Sequence, residues 1–261
     1  MKIFDSHAHY YDERFSEELE ESVDSLIDTL LNQEISYILN VGTSSETSRL
    51  AIEQAKRHEN MYTAIGTHPS DTRFFDDMEK ELSEIYSLIK DKENKCVCLG
   101  EIGLDYHYPD TDKARQHAYF DEQMKMAREL KIPVCIHDRD AHGDIMEFIR
   151  KYPDVRGIVH SFSGSREMAE ELVSLGYMIS FSGTLTFKNA RRPKEVAAAI
   201  PHSSVLVETD CPYLAPHPYR GNLNHSGYLP YTVEALAEIW GVTPEECAKI
   251  TEENARTFFG I

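Results

Sequence analysis

Short apolar runs alternate with longer amphipathic stretches along the whole chain, and this alternation predicts the fold. The runs are rich in β-branched residues, which favour strands, and each interval is long enough to hold a helix. The predicted strands are residues 2–5, 35–42, 61–66, 96–101, 132–137, 156–160, 177–182 and 204–209. Strands that alternate with helices form a parallel sheet, and eight such units predict a closed TIM (β/α)8 barrel, a single domain over residues 1–261.

The last predicted helix, residues 243–258, has sequence signals at both of its ends. Thr243 suits the N-cap, Pro244 suits the first helical position, and Glu246 suits the far end of a capping box. Gly260 follows the periodic stretch and is typical of a helix stop. These signals support the prediction that the chain ends in a helix packed on the barrel.

An open, doubly wound sheet is the alternative arrangement of the same elements. That fold usually carries a glycine-rich phosphate-binding loop after its first strand. In this chain the first strand ends instead in the sequence D-S-H-A-H at 5–9. The sequence therefore favours the barrel.

The chain is strongly acidic, which limits the partners that it can have. With 27 Lys and Arg against 45 Asp and Glu, its formal net charge is −18. A protein that grips duplex DNA along its backbone needs a basic face, and no basic run is present. Either nucleic acid is not the substrate, or the protein binds it at a strand end, where bound metal ions supply the positive charge.

Five cysteines without a C-x-x-C pair are typical of buried, reduced thiols rather than of disulfides or metal ligands. No apolar run approaches the roughly 18 residues of a membrane span, and the polar N-terminus lacks the apolar stretch of a signal peptide. We therefore expect a cytoplasmic protein with no membrane partner, and we expect it to be a monomer.

Charged and metal-competent side chains follow nearly every predicted strand. They are Asp5, His7 and His9 after the first strand, His68 after the third, Glu101 and Asp105 after the fourth, His137 and Arg139 after the fifth, His160 after the sixth, and Glu208 and Asp210 after the eighth. The carboxyl ends of barrel strands meet on one face, where the active sites of this fold lie. We therefore expect these residues to share one pocket.

The pair His7 and His9 is the strongest local indication of a metal site. Residues i and i+2 of an extended strand point to the same side, so both imidazoles can reach one ion. Asp210 supplies an anionic ligand from the far end of the chain, although it could instead serve as a turn residue before Pro212.

Glu101 can hold two ions at once, because a carboxylate has two oxygens. Gly100 and Gly103 flank it, and we expect them to leave room for close approach of a metal or ligand. His137 and His160 could then hold the second ion. Such a mixed nitrogen and oxygen set suits Mg, Mn, Zn or Fe, so the sequence predicts two divalent metal ions.

Three further side chains are candidates for substrate contact. Arg139 and Arg220 could bind phosphate oxygens in bidentate fashion, or could equally form surface ion pairs. His68 could hydrogen-bond the substrate or protonate the leaving oxygen, or could be a structural residue before Pro69. Nucleobases could stack on the tyrosines after the first and fourth strands, which are Tyr10, Tyr11, Tyr106 and Tyr108.

Two ions a few ångströms apart would activate a water for attack on an ester and stabilise the charge that builds up. Asp210 would orient or deprotonate that water, and Glu101 would hold the two ions together. We therefore expect a metal-dependent hydrolase acting on ester bonds, with Asp210, Glu101 and His68 as its catalytic residues.

Several separated motifs resemble those of the TatD family of metal-dependent deoxyribonucleases. They are D-S-H-A-H at 5–9, I-G-T-H-P at 65–69, G-E-I-G-L-D-Y at 100–106, I-P-V-C-I-H-D-R-D-A at 132–141, H-S-F-S-G at 160–164 and E-T-D-C-P-Y-L at 208–214. The resemblance covers the whole chain in order. It implies an amidohydrolase-like TIM barrel and a deoxyribonuclease that acts on single-stranded nucleic acid as a 3′-5′ exonuclease.

The resemblance also implies which side chains bind each ion. His7, His9, Glu101 and Asp210 would bind one, and Glu101, His137 and His160 would bind the other. One segment departs from the family pattern, which usually has Asn-Glu-Pro where this chain has Asn224-His225-Ser226. Because this loop follows the last strand, we expect it near the mouth of the pocket, where it would affect substrate choice.

Two alternatives stay open from the sequence. Barrels of this type also cleave other esters, so the substrate could be a small ester, another phosphodiester or an aminoacyl ester on tRNA. Many of them bridge their metals with a carboxylated lysine after the fourth strand, but residues 96–112 contain no lysine, which favours a Glu-bridged centre. A non-catalytic, metal-dependent binding protein is the second alternative, and the complete ligand set argues against it.

Overall fold

The computed structural model describes residues 1–261 and contains eight strands and ten α-helices. The strands are β1 (Ile3–Ala8), β2 (Ile35–Val41), β3 (Met61–Ile65), β4 (Cys96–Asp105), β5 (Val134–Arg139), β6 (Gly157–Val159), β7 (Met178–Phe181) and β8 (Val205–Val207). The helices are α1 (Glu13–Glu18), α2 (Val23–Asn32), α3 (Ser45–Arg57), α4 (Met78–Lys90), α5 (Lys113–Leu130), α6 (His142–Lys151), α7 (Arg166–Ser174), α8 (Arg191–Ala199), α9 (Leu229–Trp240) and α10 (Pro244–Phe259). All eight predicted strands are present; β1, β4 and β5 continue past their predicted ends, whereas the other five end one or two residues earlier than predicted.

The eight strands form one parallel sheet in the order β1 to β8, with helices between consecutive strands. Every strand pairs with its neighbours in the sequence, which is the topology of a TIM barrel. The predicted fold class is therefore confirmed, and the open doubly wound sheet is excluded because that fold reverses its strand order.

The barrel closes between β1 and the segment that follows β8. Ala8 and Cys211 form an isolated parallel bridge, in which the His9 amide donates to the Cys211 carbonyl at 2.8 Å. The Asp210 amide donates to the His7 carbonyl at 2.9 Å in the same ladder. The hydrogen bonds that close the barrel therefore also bring Asp210 beside His7 and His9.

The barrel interior is a packed core rather than a channel. One apolar cluster takes residues from all eight strands, among them Phe4 of β1, Cys98 of β4 and Leu206 of β8. Phe258 and Phe259 of α10 pack against this cluster. A second, larger cluster fills the space between the strands and the surrounding helices. These two layers hold the strand ends in fixed positions.

The ends of α10 match most of their sequence signals. Thr243 is the N-cap and accepts a hydrogen bond from the Glu246 amide at 3.2 Å, and Gly260 ends the helix with a φ of 74°. The reciprocal bond from the Glu246 side chain is absent, so the capping-box prediction is only half right. None of the helices combines the length and apolar character that a membrane crossing requires.

Candidate metal centre and active-site cleft

Six side chains with metal-binding donor atoms converge at the carboxyl end of the barrel. They are the six that the sequence predicts as metal ligands: His7, His9, Glu101, His137, His160 and Asp210. Four of them are buried, and His137 and Asp210 are partly buried, each with 17% of its side chain exposed. The donor atoms form two groups that share the Glu101 carboxylate.

The first group surrounds one oxygen of Glu101. His7 Nε2 lies 3.1 Å from His9 Nε2 and 3.3 Å from Glu101 Oε2. Asp210 Oδ1 lies 3.4 Å from His9 Nε2 and 3.7 Å from His7 Nε2. Ligand atoms that each lie about 2.1 Å from one ion are separated from one another by roughly 3.0–3.4 Å. The spacing and chemistry of this group therefore fit a divalent cation.

The second group surrounds the other oxygen of the same carboxylate. Glu101 Oε1 lies 2.8 Å from His137 Nδ1 and 2.8 Å from His160 Nε2. The two nitrogens are 3.3 Å apart. Two imidazoles and a carboxylate oxygen could hold a second ion, with Glu101 between the two positions.

Three of these histidines have a hydrogen-bond acceptor on the ring nitrogen that faces away from the cluster. The pairs are His9 Nδ1 with the Val41 carbonyl at 2.6 Å, His137 Nε2 with Asp105 Oδ2 at 3.1 Å, and His160 Nδ1 with Glu208 Oε1 at 3.3 Å. Each imidazole can donate its proton outward and keep the lone pair of its inner nitrogen free. Metal-binding histidines usually have such an outer partner, so this feature also fits a metal centre.

Glu101 is the most strongly perturbed acid of the cluster. Burial alone would raise its pKa, but the neighbouring histidines, His160 foremost, and the hydrogen bond with His137 hold the pKa well below its ordinary value. Burial likewise opposes ionisation of Asp210, but the hydrogen bond from His9 lowers the pKa of Asp210. Both groups are therefore carboxylates at neutral pH, the form that binds a cation.

Two glycines allow β4 to lie close to β5. A side chain at Gly103, whose φ is 138°, would lie 2.1 Å from the His137 carbonyl oxygen. A side chain at Gly100 would lie 2.7 Å from Cys135 Cβ. The prediction that these glycines make room for a metal is therefore wrong. They make room for the neighbouring strand and so bring Glu101 beside His137.

His68 lies next to the cluster but differs from the other histidines. Its Nδ1 accepts a hydrogen bond from the Ser70 amide at 3.1 Å, so the neutral ring carries its proton on Nε2, which lies 3.5 Å from Glu101 Oε1. Burial lowers the pKa of His68 to about 3. A neutral N–H donor of this kind suits a hydrogen bond to substrate better than proton donation by an imidazolium.

The cluster lies in a cleft with two lobes. Lobe A, of about 540 Å³, is lined by His9, Tyr11, Thr43, His68, Ser70, Asp71, Arg73, Glu101, Asp105, Tyr108, His137, Arg139, His160, Asp210 and Tyr213. Lobe B, of about 600 Å³, shares five of these residues and adds Asp138, Ser161, Phe162, Ser163, Thr184, Phe187, Asn189, Ala190, Pro193 and Leu214. The shared residues are His137, Arg139, His160, Asp210 and Tyr213, so the lobes meet at the candidate metal centre.

Four arginines lie over aromatic rings at this cleft. The pairs, with the distance from guanidinium carbon to ring centroid, are Arg73 with Phe74 (4.8 Å), Arg139 with Tyr108 (5.9 Å), Arg14 with Tyr213 (5.7 Å) and Arg220 with Phe187 (4.8 Å). In each pair at least one member lines a lobe. We call these the rim pairs. The cleft of this acidic protein therefore carries local positive charge beside exposed aromatic surface.

The two arginines predicted to bind substrate differ in their position relative to the cleft. Arg139 lines both lobes, whereas Arg220 is exposed and reaches the cleft only through its contact with Phe187. Arg73, which was not predicted from the sequence, also lines lobe A and lies in a short 3-10 turn after the I-G-T-H-P motif. In the sequence, the only indication that Arg73 lies near the site is its position five residues after His68.

The predicted stacking tyrosines fall into two groups. Tyr11 and Tyr108 line lobe A. Tyr10 is fully buried, with its hydroxyl 2.7 Å from Ser226 Oγ, and Tyr106 bonds to side chains of α5 and α6 outside the cleft. For Tyr10 and Tyr106 the prediction is therefore wrong.

The segment Asn224-His225-Ser226 does not lie at the pocket mouth, contrary to the prediction. Asn224 and Ser226 are fully buried, and no residue of the segment lines either lobe. Ser226 Oγ donates to Asp5 Oδ2 at 2.6 Å, and burial raises the pKa of Asp5 to about 6. Ser226, which lies in the segment that departs from the family pattern, therefore hydrogen-bonds a buried carboxylate beneath the site. The segment does not line the cleft in which substrate would bind.

Ser226→Ala is expected to lower the free energy of unfolding by about 1–3 kcal/mol, because the buried Asp5 carboxylate loses a hydrogen-bond donor. The ratios of kcat/KM among alternative substrates should stay unchanged. Urea denaturation and a substrate panel would measure the two effects. A stable variant with an altered substrate preference would instead return this loop to the recognition surface.

The chain matches the family model described as TatD related DNase over residues 4–260. It is 40% identical to the uncharacterized metal-dependent hydrolase YabD of Bacillus subtilis, with 99% of each chain covered. It is 35% identical to the uncharacterized metal-dependent hydrolase YcfH of Escherichia coli, covering 100% of this chain and 97% of the relative. The crystal structure of YJJV, a TatD homolog from Escherichia coli, superposes with a TM-score of 0.89 at 27% identity, covering 99% of this chain and 98% of that one. This chain therefore belongs to the TatD family of metal-dependent hydrolases.

Proposed function

We propose that this protein is a deoxyribonuclease that removes nucleotides from the 3′ end of single-stranded DNA. The rim pairs are the observation that carries this proposal. Single-stranded nucleic acid is bound by aromatic faces on which bases stack and by cations that contact phosphates. The rim pairs offer both at a cleft whose centre holds the candidate metal ligands, in a protein of net charge −18. A strand end needs only this local charge, not a basic face.

Two divalent ions are the proposed cofactors. His7, His9, Glu101 and Asp210 would hold one, and Glu101, His137 and His160 would hold the other. Bound there, the ions would lower the pKa of a water molecule and offset the negative charge of the phosphoryl group. Magnesium, manganese and zinc all accept such donors.

Asp210 and His68 have distinct proposed roles. Asp210 directs Oδ1 towards His7 and His9, while its Oδ2 makes no hydrogen bond and is available to orient or deprotonate the attacking water. His68 would donate its Nε2 proton in a hydrogen bond to a phosphoryl oxygen or to the leaving oxygen. Arg139, at the junction of the lobes, would contact the phosphate.

The reaction balances as a simple hydrolysis. The water oxygen forms a bond to phosphorus, and the bond between phosphorus and the 3′ oxygen of the preceding nucleotide breaks. That oxygen takes up a proton and becomes a free 3′-hydroxyl. The products are a nucleoside 5′-monophosphate and a strand shortened by one nucleotide.

The direct test uses single-stranded DNA labelled at its 5′ end and protein loaded with magnesium, manganese or zinc. A ladder that shortens progressively from the 3′ end supports the proposal. Internal fragments from the first time points would indicate an endonuclease. Hydrolysis of a carboxylic ester or an aminoacyl-tRNA, with DNA left intact, would reject a nucleic acid phosphodiester as the substrate.

Arg139→Ala and Arg73→Ala are each expected to raise the KM for single-stranded DNA about 10-fold, since each removes a charged hydrogen-bond donor to phosphate. The slope of log kcat/KM against log salt should also become shallower by about 0.7 for each phosphate that the variant no longer neutralises. Arg191→Ala is the matched control, because Arg191 is 90% exposed and pairs with Glu195 outside the cleft. An unchanged KM and salt slope in both cleft variants would reject this role for the arginines.

A further inference from the structure

Lobe B differs in chemistry from lobe A. Its walls include five apolar side chains, which are Phe162, Phe187, Ala190, Pro193 and Leu214. The polar groups between them are mostly neutral, among them Ser161, Thr184 and Asn189. Such a surface suits an uncharged, largely planar group with a few hydrogen-bonding positions.

The cations are distributed unevenly between the lobes. Arg139 is the only arginine or lysine that lines lobe B, and it lies where the lobes meet. Lobe B also contains the carboxylates Asp138 and Asp210. A strand that continued through lobe B would bring one additional phosphate charge per nucleotide with no further cation to offset it. Lobe A has a second cation, Arg73, beside Arg139, and two of its four carboxylates (Asp71, Glu101, Asp105 and Asp210) are candidate metal ligands.

We propose that lobe B is the binding subsite for the single terminal nucleoside that hydrolysis releases as its 5′-monophosphate, and that the rest of the strand leaves the site through lobe A. This inference rests on the proposed nuclease function. It adds that the enzyme recognises the nucleoside on one side of the scissile phosphate. The hydrolysed phosphate would lie at the junction beside Arg139.

Phe187 is the residue best placed to contact the base. It is half-buried, lines lobe B, and has the Arg220 guanidinium 4.8 Å from its ring centroid. Arg220 does not line the lobe, so it supports the ring from outside. An aromatic ring held in this way offers a stacking surface for any base.

Two phosphodiesters with the same leaving group test this subsite. Thymidine 5′-(p-nitrophenyl phosphate) carries a nucleoside on the phosphate, and methyl p-nitrophenyl phosphate carries only a methyl group in its place. Both release p-nitrophenol. With metal-loaded protein, kcat/KM should be at least about 10-fold higher for the thymidine ester, because base stacking contributes to its binding.

Phe187→Ala should raise the KM for the thymidine ester about 10-fold and leave the methyl ester unchanged. Leu50→Ala is the matched control, because Leu50 is an exposed apolar residue of α3 that lines neither lobe. It should change neither substrate. An equal effect of Phe187→Ala on both esters, or no effect on either, would overturn the assignment of lobe B.

The failure of this inference can be told apart from failure of the proposed function. If the parent protein hydrolyses both esters equally well, lobe B does not recognise a nucleoside, but a phosphodiesterase remains. If it hydrolyses neither ester nor DNA, both proposals are wrong.

A measurement on the parent protein alone avoids any folding defect of the variant. Thymidine 5′-monophosphate should inhibit hydrolysis of the methyl ester at a concentration about 10-fold lower than inorganic phosphate does. Equal inhibition by the two anions would overturn the subsite.

Discussion

Asp210→Asn is expected to lower kcat/KM for single-stranded DNA by about 10³-fold or more, because it removes the proposed anionic metal ligand and base. Asparagine keeps the size of the side chain and one oxygen but removes the charge. The folded structure should persist, because Asp210 has a φ of 56° and asparagine is among the few residues that tolerate this left-handed conformation. Steady-state kinetics and circular dichroism measure the two effects.

Asp140→Asn is the matched control for this variant. Asp140 also has a left-handed backbone, with a φ of 57°, but its side chain is 67% exposed and lines neither lobe. The control should retain the kcat/KM of the parent. Equal activity in a correctly folded Asp210→Asn protein would remove Asp210 from the proposed metal centre and from the mechanism.

The barrel and the position of the candidate metal ligands can both be predicted from the sequence, and for the same physical reason. Parallel strands closed into a barrel all end on the same face, so residues as distant as His7 and Asp210 need only lie at or just beyond the end of a strand to become neighbours. The pattern of apolar runs supplies the strands, and the polar residue after each run supplies the site. Predicting that these residues converge therefore requires no knowledge of side-chain conformations.

The predictions that failed depend on details that a strand pattern does not contain. The long connection between β8 and α9 has no periodicity, so nothing in the sequence distinguishes a buried Ser226 from a residue at the pocket mouth. The sequence also does not show in which direction a tyrosine side chain points. Tyr10 and Tyr11 are adjacent, yet one packs in the core and the other lines lobe A.

Three of the four rim pairs join separate segments of the chain, so the sequence does not show them, whereas Arg73 and Phe74 are adjacent. Arg14 and Tyr213 are almost 200 residues apart, and their contact depends on how the segment after β8 packs against the one after β1. The net charge of the whole chain is equally uninformative about a local surface. A net charge of −18 is compatible with four arginines in or beside one cleft.

Removal of divalent ions with a chelator is expected to abolish hydrolysis and to lower the melting temperature. Ligands that bind only the folded protein stabilise it by about 2.7 kcal/mol at 100 times their Kd. For a domain of this size, each kcal/mol corresponds to roughly 2–4 °C, so the expected shift is about 5–10 °C. Calorimetry of the stripped and reloaded protein measures it, and elemental analysis should find two ions per chain.

Asp210→Asn provides the internal comparison for the chelation experiment. With one anionic ligand removed, its melting temperature should change less on chelation than that of the parent, because the ion beside His7 and His9 binds more weakly. The second group, around Glu101 Oε1, His137 and His160, lacks Asp210 and should keep more of its affinity. Retention of full hydrolysis by protein shown to be free of metal would reject the dinuclear centre, whatever the substrate proves to be.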